Sequence, residues 1–172
     1  DKMSKSKGNV VFADELAETF GVDAVRYYAL SEMPYNSDGS ITYESVISRY
    51  NNDLANNLGN LVSRTVAMAQ KYFGEKLPAQ QLANEEMDAE LVAMASGLRA
   101  KYEAEMENYA FQNALAEVFK VIQRANKYID ETAPWALAKD EANKEQLEGV
   151  LYNLLDCIRV LGILLTPFMP ET

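Results

Sequence analysis

Apolar residues recur at intervals of three or four along most of this chain, which is the spacing of one face of an α-helix. The longest such run covers residues 43–73, and we expect one long helix there, ended by Gly74. The same pattern predicts helices over 85–107, 110–131 and 144–165. No run keeps the sustained seven-residue repeat of a coiled coil. Short loops between these helices favour a mainly all-α fold in which the helices pack as an antiparallel bundle.

The pattern before the bundle is shorter and more interrupted. It predicts a short helix over 13–20 that Gly21 stops, and a second helix that Asp23 caps and that runs to about residue 32. Proline, asparagine, aspartate and glycine then mark a turn region over 33–42, with room for a short strand around Ile41. We therefore divide the chain into a loop and connector over residues 1–42 and a helical-bundle domain over residues 43–172.

The scarcity of two residue types limits the chemistry of this chain. The sequence has no histidine and one cysteine, Cys157, which lies on an apolar helical stretch and is expected to be a buried, unreactive thiol. A Cys/His zinc site, a Ser-His-Asp triad and a Cys-His pair are therefore excluded within this sequence, and we expect no metal site in it. No apolar run approaches the roughly 20 residues that cross a bilayer, and no signal peptide is apparent. We expect a soluble, cytoplasmic protein without a membrane partner.

The net charge of −10 argues against broad, non-specific binding to nucleic acid, which depends on neutralising phosphates. The charge is uneven, however, because lysines crowd the N-terminus and carboxylates crowd the segment 85–107. A protein that reads a few unstacked RNA bases needs only a local cationic patch and an aromatic platform. The acidic balance therefore leaves sequence-specific RNA recognition open.

A basic loop near the N-terminus has the order Lys2-Met3-Ser4-Lys5-Ser6. Its two ammonium groups, three residues apart, are suited to closing over a polyphosphate, and its hydroxyls add hydrogen-bond donors. Charge pattern alone favours a solvated basic tail or a localisation signal. The order of the residues, however, matches all five positions of the KMSKS signature, so the loop resembles that of class I aminoacyl-tRNA synthetases.

That resemblance implies a role for the loop in binding ATP, which such enzymes use with Mg²⁺. The side chains that it assigns to ATP binding are those of Lys2, Ser4, Lys5 and Ser6. Lys5 would be the catalytic residue, because its charge would stabilise the departing pyrophosphate. Residues 21–28 are also similar to the stem-contact connector that joins this loop to the anticodon domain in the family.

A second motif bears on which amino acid such an enzyme attaches to tRNA. The stretch 53–64, with the sequence DLANNLGNLVSR, is similar to the segment that opens the anticodon-binding bundle of methionyl-tRNA synthetases. Within it, Asn60 and Arg64 are four residues apart and share one helical face. An amide and a guanidinium there are able to read base edges, and the resemblance implies that both bind the anticodon. Without the resemblance, a solvent-exposed polar pair explains these two residues equally well.

The third motif, residues 128–139, contains the sole tryptophan of the sequence, Trp135. It resembles a family motif in which this tryptophan stacks on the first anticodon base, a cytosine. A sole tryptophan is more often part of the core, but a position directly after Pro134, between two helices, allows an exposed ring. The three motifs stand in the family's order, so the chain resembles the C-terminal part of the methionyl-tRNA synthetases.

The resemblance implies a ligase that joins methionine to ATP and passes the methionyl group to tRNA(Met), whose CAU anticodon it recognises. The nucleotide-binding fold with its HIGH signature would lie upstream, since a sequence without histidine cannot contain it. We therefore expect this chain alone to be inactive. Two alternatives stay open: the anticodon domain of a leucyl, isoleucyl or valyl enzyme, and a non-catalytic helical bundle that binds other proteins. The second alternative leaves the KMSKS order unexplained.

Overall fold

The computed structural model describes residues 3–4, 6, 8, 10–33, 39–74, 76–80 and 85–172. Nearly all regular structure in these residues is helical, and the predicted mainly all-α fold is confirmed. In chain order the elements are α1 (Ala13–Phe20), α2 (Val22–Glu32), α3 (Tyr43–Arg49), a π-helical segment (Tyr50–Gly59), α4 (Asn60–Phe73), α5 (Glu85–Glu107), α6 (Phe111–Thr132), α7 (Pro134–Leu137), a 3-10 turn (Glu141–Asn143) and α8 (Lys144–Leu165).

The strand expected around Ile41 is absent. Residues 39–42 have no regular structure, and no strand occurs in the part of the chain that the structure describes. Ile41 is instead partly buried against side chains of α1, α2 and α3. Helices therefore cover this apolar residue, and it needs no neighbouring strand. Residues 34–38 of the predicted turn lie outside the described residues.

Local sequence sets several helix ends. Gly21 at φ 86° and Gly74 at φ 63° end α1 and α4 in backbone conformations that L side chains rarely adopt. A capping box begins α3, in which the side chains of Thr42 and Ser45 each accept a hydrogen bond from the backbone N–H of the other. The cap expected from Asp23 is wrong: Gly21 is the N-cap of α2, Asp23 lies within the first turn, and its carboxylate binds the far end of the chain instead.

The bundle consists of α4, α5, α6 and α8. The helices α5 and α6 are antiparallel, because Asn113 at the start of α6 donates to Glu105 near the end of α5, while Arg124 farther along α6 donates to Glu90 near the start of α5. The most continuous buried stripe belongs to α6, whose apolar side chains face the core. Cys157 on α8 is buried as predicted, and burial raises the pKa of its thiol to about 12.

Buried polar groups fix α6 against its neighbours. The Tyr128 hydroxyl donates to Asp88 Oδ1 on α5 at 2.5 Å and accepts from Asn153 Nδ2 on α8 at 3.3 Å. Burial, together with the hydrogen bond to the Asp88 carboxylate, raises the pKa of Tyr128 above its usual range. Arg124, on the same helix, is 8% exposed and pairs through Nη1 with Glu131 Oε2 at 3.0 Å. These contacts hold the helix that ends beside Trp135.

The connector packs against the bundle rather than projecting from it. Leu16, Tyr28 and Val46 form a small core shared by α1, α2 and α3. Tyr27, the residue before Tyr28 on α2, packs in the main core of the bundle. Its hydroxyl donates to Asp53 Oδ2 in the π-helical segment at 2.8 Å. Burial, with this hydrogen bond, raises the pKa of Tyr27 above its usual range. The boundary at residue 42 stays a prediction.

The connector is also attached to the far end of the chain. Asp23 Oδ2 accepts from the Glu171 backbone N–H at 2.9 Å and from the Thr172 hydroxyl at 2.6 Å. Arg26 Nη2 donates to the Pro167 carbonyl at 2.8 Å. The helix α2 is therefore fastened both to the first helical run of the bundle and to the residues that follow α8.

Residues 43–73 are helical throughout, as predicted, but the middle of the run is a π-helix. From Tyr50 to Gly59 the backbone has the wider turn in which each N–H bonds five residues back, and the Asn60 N–H accordingly reaches the Ala55 carbonyl. Apolar spacing of three and four residues did not distinguish this segment from the α-helices around it. The π-helical segment places α4 in its observed rotation relative to α3.

Candidate nucleic-acid interface

Arg64, Asp130 and Trp135 meet on the surface where α4 passes the end of α6. Arg64 Nη2 donates to Asp130 Oδ1 at 2.7 Å. The Arg64 Cζ atom also lies 5.9 Å from the centroid of the Trp135 ring. The structure therefore brings together two of the three residues predicted to read the anticodon, and adds a carboxylate beside them. We call Asn60, Arg64, Asp130 and Trp135 the Arg64–Trp135 surface.

The turn between α6 and α7 exposes the tryptophan. Ala133 ends α6 with φ 43°, and its N–H bonds to the Ile129 carbonyl at 3.0 Å. Pro134 then begins the single turn of α7, where its fixed φ suits the first helical position and its missing N–H costs no hydrogen bond. Pro134 is buried, whereas Trp135 is 45% exposed. The indole is therefore a surface ring, held in place by a buried proline beside it.

Asn60 is the first residue of α4 and lies one helical turn before Arg64. Its side chain is exposed, so its amide offers both a donor and an acceptor to a ligand. The surface therefore combines an open amide, a guanidinium and an aromatic face, three groups that recognise unstacked bases in complementary ways.

The Arg64–Asp130 pair orients the guanidinium without binding it tightly. The Arg64 side chain is 30% exposed and that of Asp130 is 65% exposed. An ion pair this accessible to solvent contributes about 0–1 kcal/mol. A cation over an exposed aromatic ring adds about 0.5–1 kcal/mol. Because both contributions are small, a stronger hydrogen-bond acceptor on a ligand can replace Asp130 as the partner of the Arg64 guanidinium.

Sequence reasoning missed two polar residues of this region. Asp130 lies inside the third motif, but its ion pair joins residues 66 positions apart and depends on how α4 and α6 cross. Asn126, one turn earlier on α6, donates from Nδ2 to the Asn57 carbonyl of the π-helical segment at 3.1 Å. Its Oδ1 atom is buried and has no hydrogen-bond partner among the described residues. The spacing of residues along one helix does not indicate which residues of another helix they contact, so the sequence did not predict these two contacts.

Only part of the predicted ATP-binding loop lies within the described residues. Lys2 and Lys5 are outside them. The hydroxyls of Ser4 and Ser6 lie 2.8 Å apart and share a hydrogen bond. Gly8 has φ 64°, a conformation that suits glycine and allows the chain to turn after the loop. The structure therefore places the two serines side by side and leaves the two lysines as sequence predictions.

Within residues 10–33, 39–74 and 85–172 and the shorter described pieces, no three His, Cys, Asp or Glu side chains are grouped so that they could hold a metal ion. No helix among the described residues is both long and apolar enough to pass through a membrane.

Two family models match this chain over adjoining segments. The model described as tRNA synthetases class I (M) matches residues 1–66. The model described as the anticodon binding domain of methionyl tRNA ligase matches residues 77–172, which is more than half of the chain. The segment 53–64, which contains Asn60 and Arg64, lies within the first match, and Trp135 lies within the second.

Individual relatives agree with these models. The methionine–tRNA ligase of Caldanaerobacter subterraneus subsp. tengcongensis is 53% identical over 99% of this chain and 27% of its own length. That of Bacillus subtilis is 49% identical over 99% of this chain and 26% of its own length. A structure of Mycobacterium tuberculosis methionyl-tRNA synthetase in complex with methionyl-adenylate superposes with a TM-score of 0.94 at 38% identity, covering 99% of this chain and 34% of the other. The chain spans about a quarter of the length of the curated relatives it matches.

Proposed function

Since the chain belongs to the methionyl-tRNA ligase family, we propose that its helical bundle recognises the CAU anticodon of tRNA(Met) on behalf of a full-length ligase. Trp135 stacks on the first anticodon base, and Asn60 and Arg64 bind base edges. The observation that carries this proposal is the exposed Trp135 ring beside the Arg64 guanidinium. An aromatic face and a directed cation at one site are what recognition of splayed RNA bases requires.

The energies of the free surface are compatible with this role. Stacking of a base on an aromatic side chain contributes about 1–3 kcal/mol. The exposed Arg64–Asp130 pair contributes about 0–1 kcal/mol, so the guanidinium gains by moving from Asp130 to a base edge or phosphate in a less hydrated interface. The net charge of −10 does not oppose this, because the proposed contacts are few and local. Discrimination then depends on the three side chains rather than on general attraction to phosphate.

The N-terminal loop serves the catalytic step of the same enzyme. The proposal assigns ATP binding to the side chains of Lys2, Ser4, Lys5 and Ser6. Lys5 stabilises the negative charge that develops on pyrophosphate as it departs from ATP. ATP enters with Mg²⁺, which neutralises part of the phosphate charge. The complete signature and the class I family match over residues 1–66 support this assignment.

The full-length protein is proposed to act in the cytoplasm as a methionine–tRNA ligase. It joins methionine to ATP to give methionyl-adenylate and pyrophosphate, and then passes the methionyl group to the terminal ribose of tRNA(Met). This chain has no histidine and therefore no HIGH signature, so we propose that it is inactive by itself. The methionyl anticodon-domain match favours this function over a leucyl, isoleucyl or valyl enzyme. A bundle that only binds other proteins leaves the KMSKS order unexplained.

The test compares tRNA with a CAU anticodon and tRNA with a GAU anticodon in the full-length ligase. Aminoacylation kcat/KM is measured at about 0.15 M salt, since RNA affinities depend strongly on ionic strength. We expect CAU to be preferred, and Trp135→Ala to lower kcat/KM for CAU by about 5- to 150-fold, the equivalent of one lost stacking contact. Tyr43→Ala is the matched control, because Tyr43 is also an aromatic side chain, 46% exposed, but it lies at the start of α3 and outside the Arg64–Trp135 surface. Equal use of both anticodons by the unaltered enzyme would refute the proposal.

A further inference from the structure

The turn between Leu54 and Gly59 leaves little room for a side chain on Gly59. An ideal Cβ on Gly59 would lie 3.0 Å from the Leu54 carbonyl oxygen, five residues earlier in the same π-helical segment. Gly59 has φ −60° and ψ −40°, which any residue adopts, so its backbone conformation is not what calls for glycine. The requirement is one of space. A methyl group there would press on a backbone carbonyl, which would have to move away by a few tenths of an ångström and so widen the turn.

A π-helical turn changes the phase of the helix that follows it. It holds about one residue more than an α-helical turn, and such turns are uncommon and frequently lie at functional sites. One residue of an α-helix corresponds to a rotation of about 100° and a rise of about 1.5 Å. If the turn before Gly59 had a different width, the Asn60 and Arg64 side chains would be rotated about the axis of α4 relative to Trp135.

Both sides of the π-helical segment are anchored to other helices. At its first half, Asp53 Oδ2 accepts hydrogen bonds from the Tyr27 hydroxyl at 2.8 Å and from Arg49 Nη1 at 3.0 Å. At its second half, the Asn57 carbonyl accepts from Asn126 Nδ2 at 3.1 Å. Asp53 is thereby fixed to the connector and Asn57 to α6. The one turn between Asn57 and α4 then decides which way the anticodon-reading side chains point.

We propose that Gly59 is a positioning residue for anticodon recognition: by leaving space for the Leu54 carbonyl, it lets the π-helical turn close to its observed width, and so sets the rotation at which α4 presents Asn60 and Arg64 on the Arg64–Trp135 surface. This inference rests on the proposed function of the Arg64–Trp135 surface. Gly59 itself contacts no substrate in the proposed role. Its contribution is the space that it leaves for the Leu54 carbonyl.

The chain offers a matched control for this proposal. Gly97 lies in the interior of α5, and an ideal Cβ there would meet no atom within 4 Å. Gly97→Ala and Gly59→Ala therefore make the same chemical change in a helical backbone, but only the second places a methyl group against a carbonyl. Helix propensity alone favours alanine at both positions.

The experiment uses the full-length ligase with either substitution. It measures aminoacylation kcat and KM for tRNA with CAU or GAU anticodons, together with ATP–pyrophosphate exchange, which reports adenylate formation without tRNA. For Gly59→Ala we expect an increase of about tenfold or more in KM for CAU tRNA, the scale of one lost base contact, with pyrophosphate exchange unchanged. For Gly97→Ala we expect neither change. A CAU preference at wild-type level in Gly59→Ala would overturn the inference.

Two other outcomes differ from a wild-type CAU preference in Gly59→Ala: an unaltered enzyme without CAU preference, and a Gly59→Ala variant that does not fold. If the unaltered enzyme has no preference for CAU, the proposed function fails, and the positioning role fails with it. If Gly59→Ala does not fold, shown by loss of both its thermal transition and pyrophosphate exchange, the same assay is run on Asn126→Ala. This change releases the Asn57 carbonyl, and the buried Oδ1 of Asn126 is not available to RNA. Loss of CAU preference with intact exchange then supports the inference, and unchanged preference overturns it.

Discussion

The Tyr128 hydroxyl is a single group whose removal tests how α6 is held. In Tyr128→Phe the ring stays in the core, where Tyr128 is 0% exposed, and only the oxygen is lost. Asp88, itself 6% exposed, loses the donor at 2.5 Å, and Asn153 loses a longer contact at 3.3 Å. Hydrogen bonds to charged groups contribute about 1.5–3 kcal/mol. We expect the free energy of unfolding to fall by about 2 kcal/mol.

That loss converts to a shift in melting temperature. The unfolding entropy of a globular protein is about 2.1 cal/mol/K per residue, which for a chain of this length gives roughly 0.36 kcal/mol/K. A loss of about 2 kcal/mol therefore lowers Tm by about 5 °C. The assay is thermal unfolding followed by circular dichroism, with the transition checked for reversibility. Urea unfolding gives a second value of the same free energy, and an unchanged slope confirms that the folded state is intact.

Tyr152→Phe is the control for this prediction. Tyr152 is half-buried on α8, and its hydroxyl makes no hydrogen bond to the described residues, so its removal should move Tm by less than about 1 °C. If Tyr128→Phe behaves like Tyr152→Phe, the Asp88 carboxylate is adequately bound without Tyr128. The reasoning that this buried contact fixes α6 would then be refuted.

Two further predictions concern buried ionisable groups. The pKa values of Tyr27 and Tyr128 are raised in the folded chain, so both tyrosines keep their protons above about pH 10 while the unfolded chain loses them. The contribution of the two tyrosines to the free energy of unfolding is therefore fully present below about pH 10 and is lost as the pH rises further. In urea unfolding, Tyr27→Phe should reduce this loss of stability at high pH. The buried Cys157 thiol has a pKa raised to about 12, so a disulfide reagent at neutral pH should modify it only on unfolding. Rapid modification of the native chain would contradict its burial.

Apolar periodicity predicted the long elements because burial of one face decides their formation. The helices α1, α5 and α8 have the bounds that the spacing indicated, 13–20, 85–107 and 144–165. Glycine ended α1 and α4 as expected, since positive φ is a property of the residue itself. These features depend on information carried within a few neighbouring residues.

Other features depend on contacts that the sequence does not display. The apolar run that contains the π-helical segment has the spacing of an α-helix, and apolar spacing does not reveal its five-residue hydrogen bonds, such as that from the Asn60 N–H to the Ala55 carbonyl. Ile41 lies in a stretch that resembles a strand, but helices bury it. Asp23 has the position of a helix cap, yet its carboxylate binds Glu171. For Ile41 and Asp23 a tertiary partner outweighed the local preference.

The candidate site likewise combines residues that the sequence predicted with a contact that the sequence did not predict. Family motifs named Asn60, Arg64 and Trp135 from their order along the chain. They did not reveal that Asp130 holds the Arg64 guanidinium, because that contact requires α4 and α6 to cross at one particular place. Pro134 was a useful signal for the exposure of Trp135, since a buried proline at the start of a one-turn helix leaves the next side chain outside.

The attachment of α2 to the residues after α8 affects how the chain folds during synthesis. Asp23 and Arg26 bind partners 148 and 141 positions later. At about 5–20 residues per second, the ribosome adds the partners of α2 roughly 7–30 s after α2 itself. Bringing together such distant segments also makes folding slower than local helix pairing. The contacts of Asp23 and Arg26 with residues 167–172 therefore form after α5 and α6 have been synthesised, whereas the Tyr27 contact with Asp53 needs only residues made early.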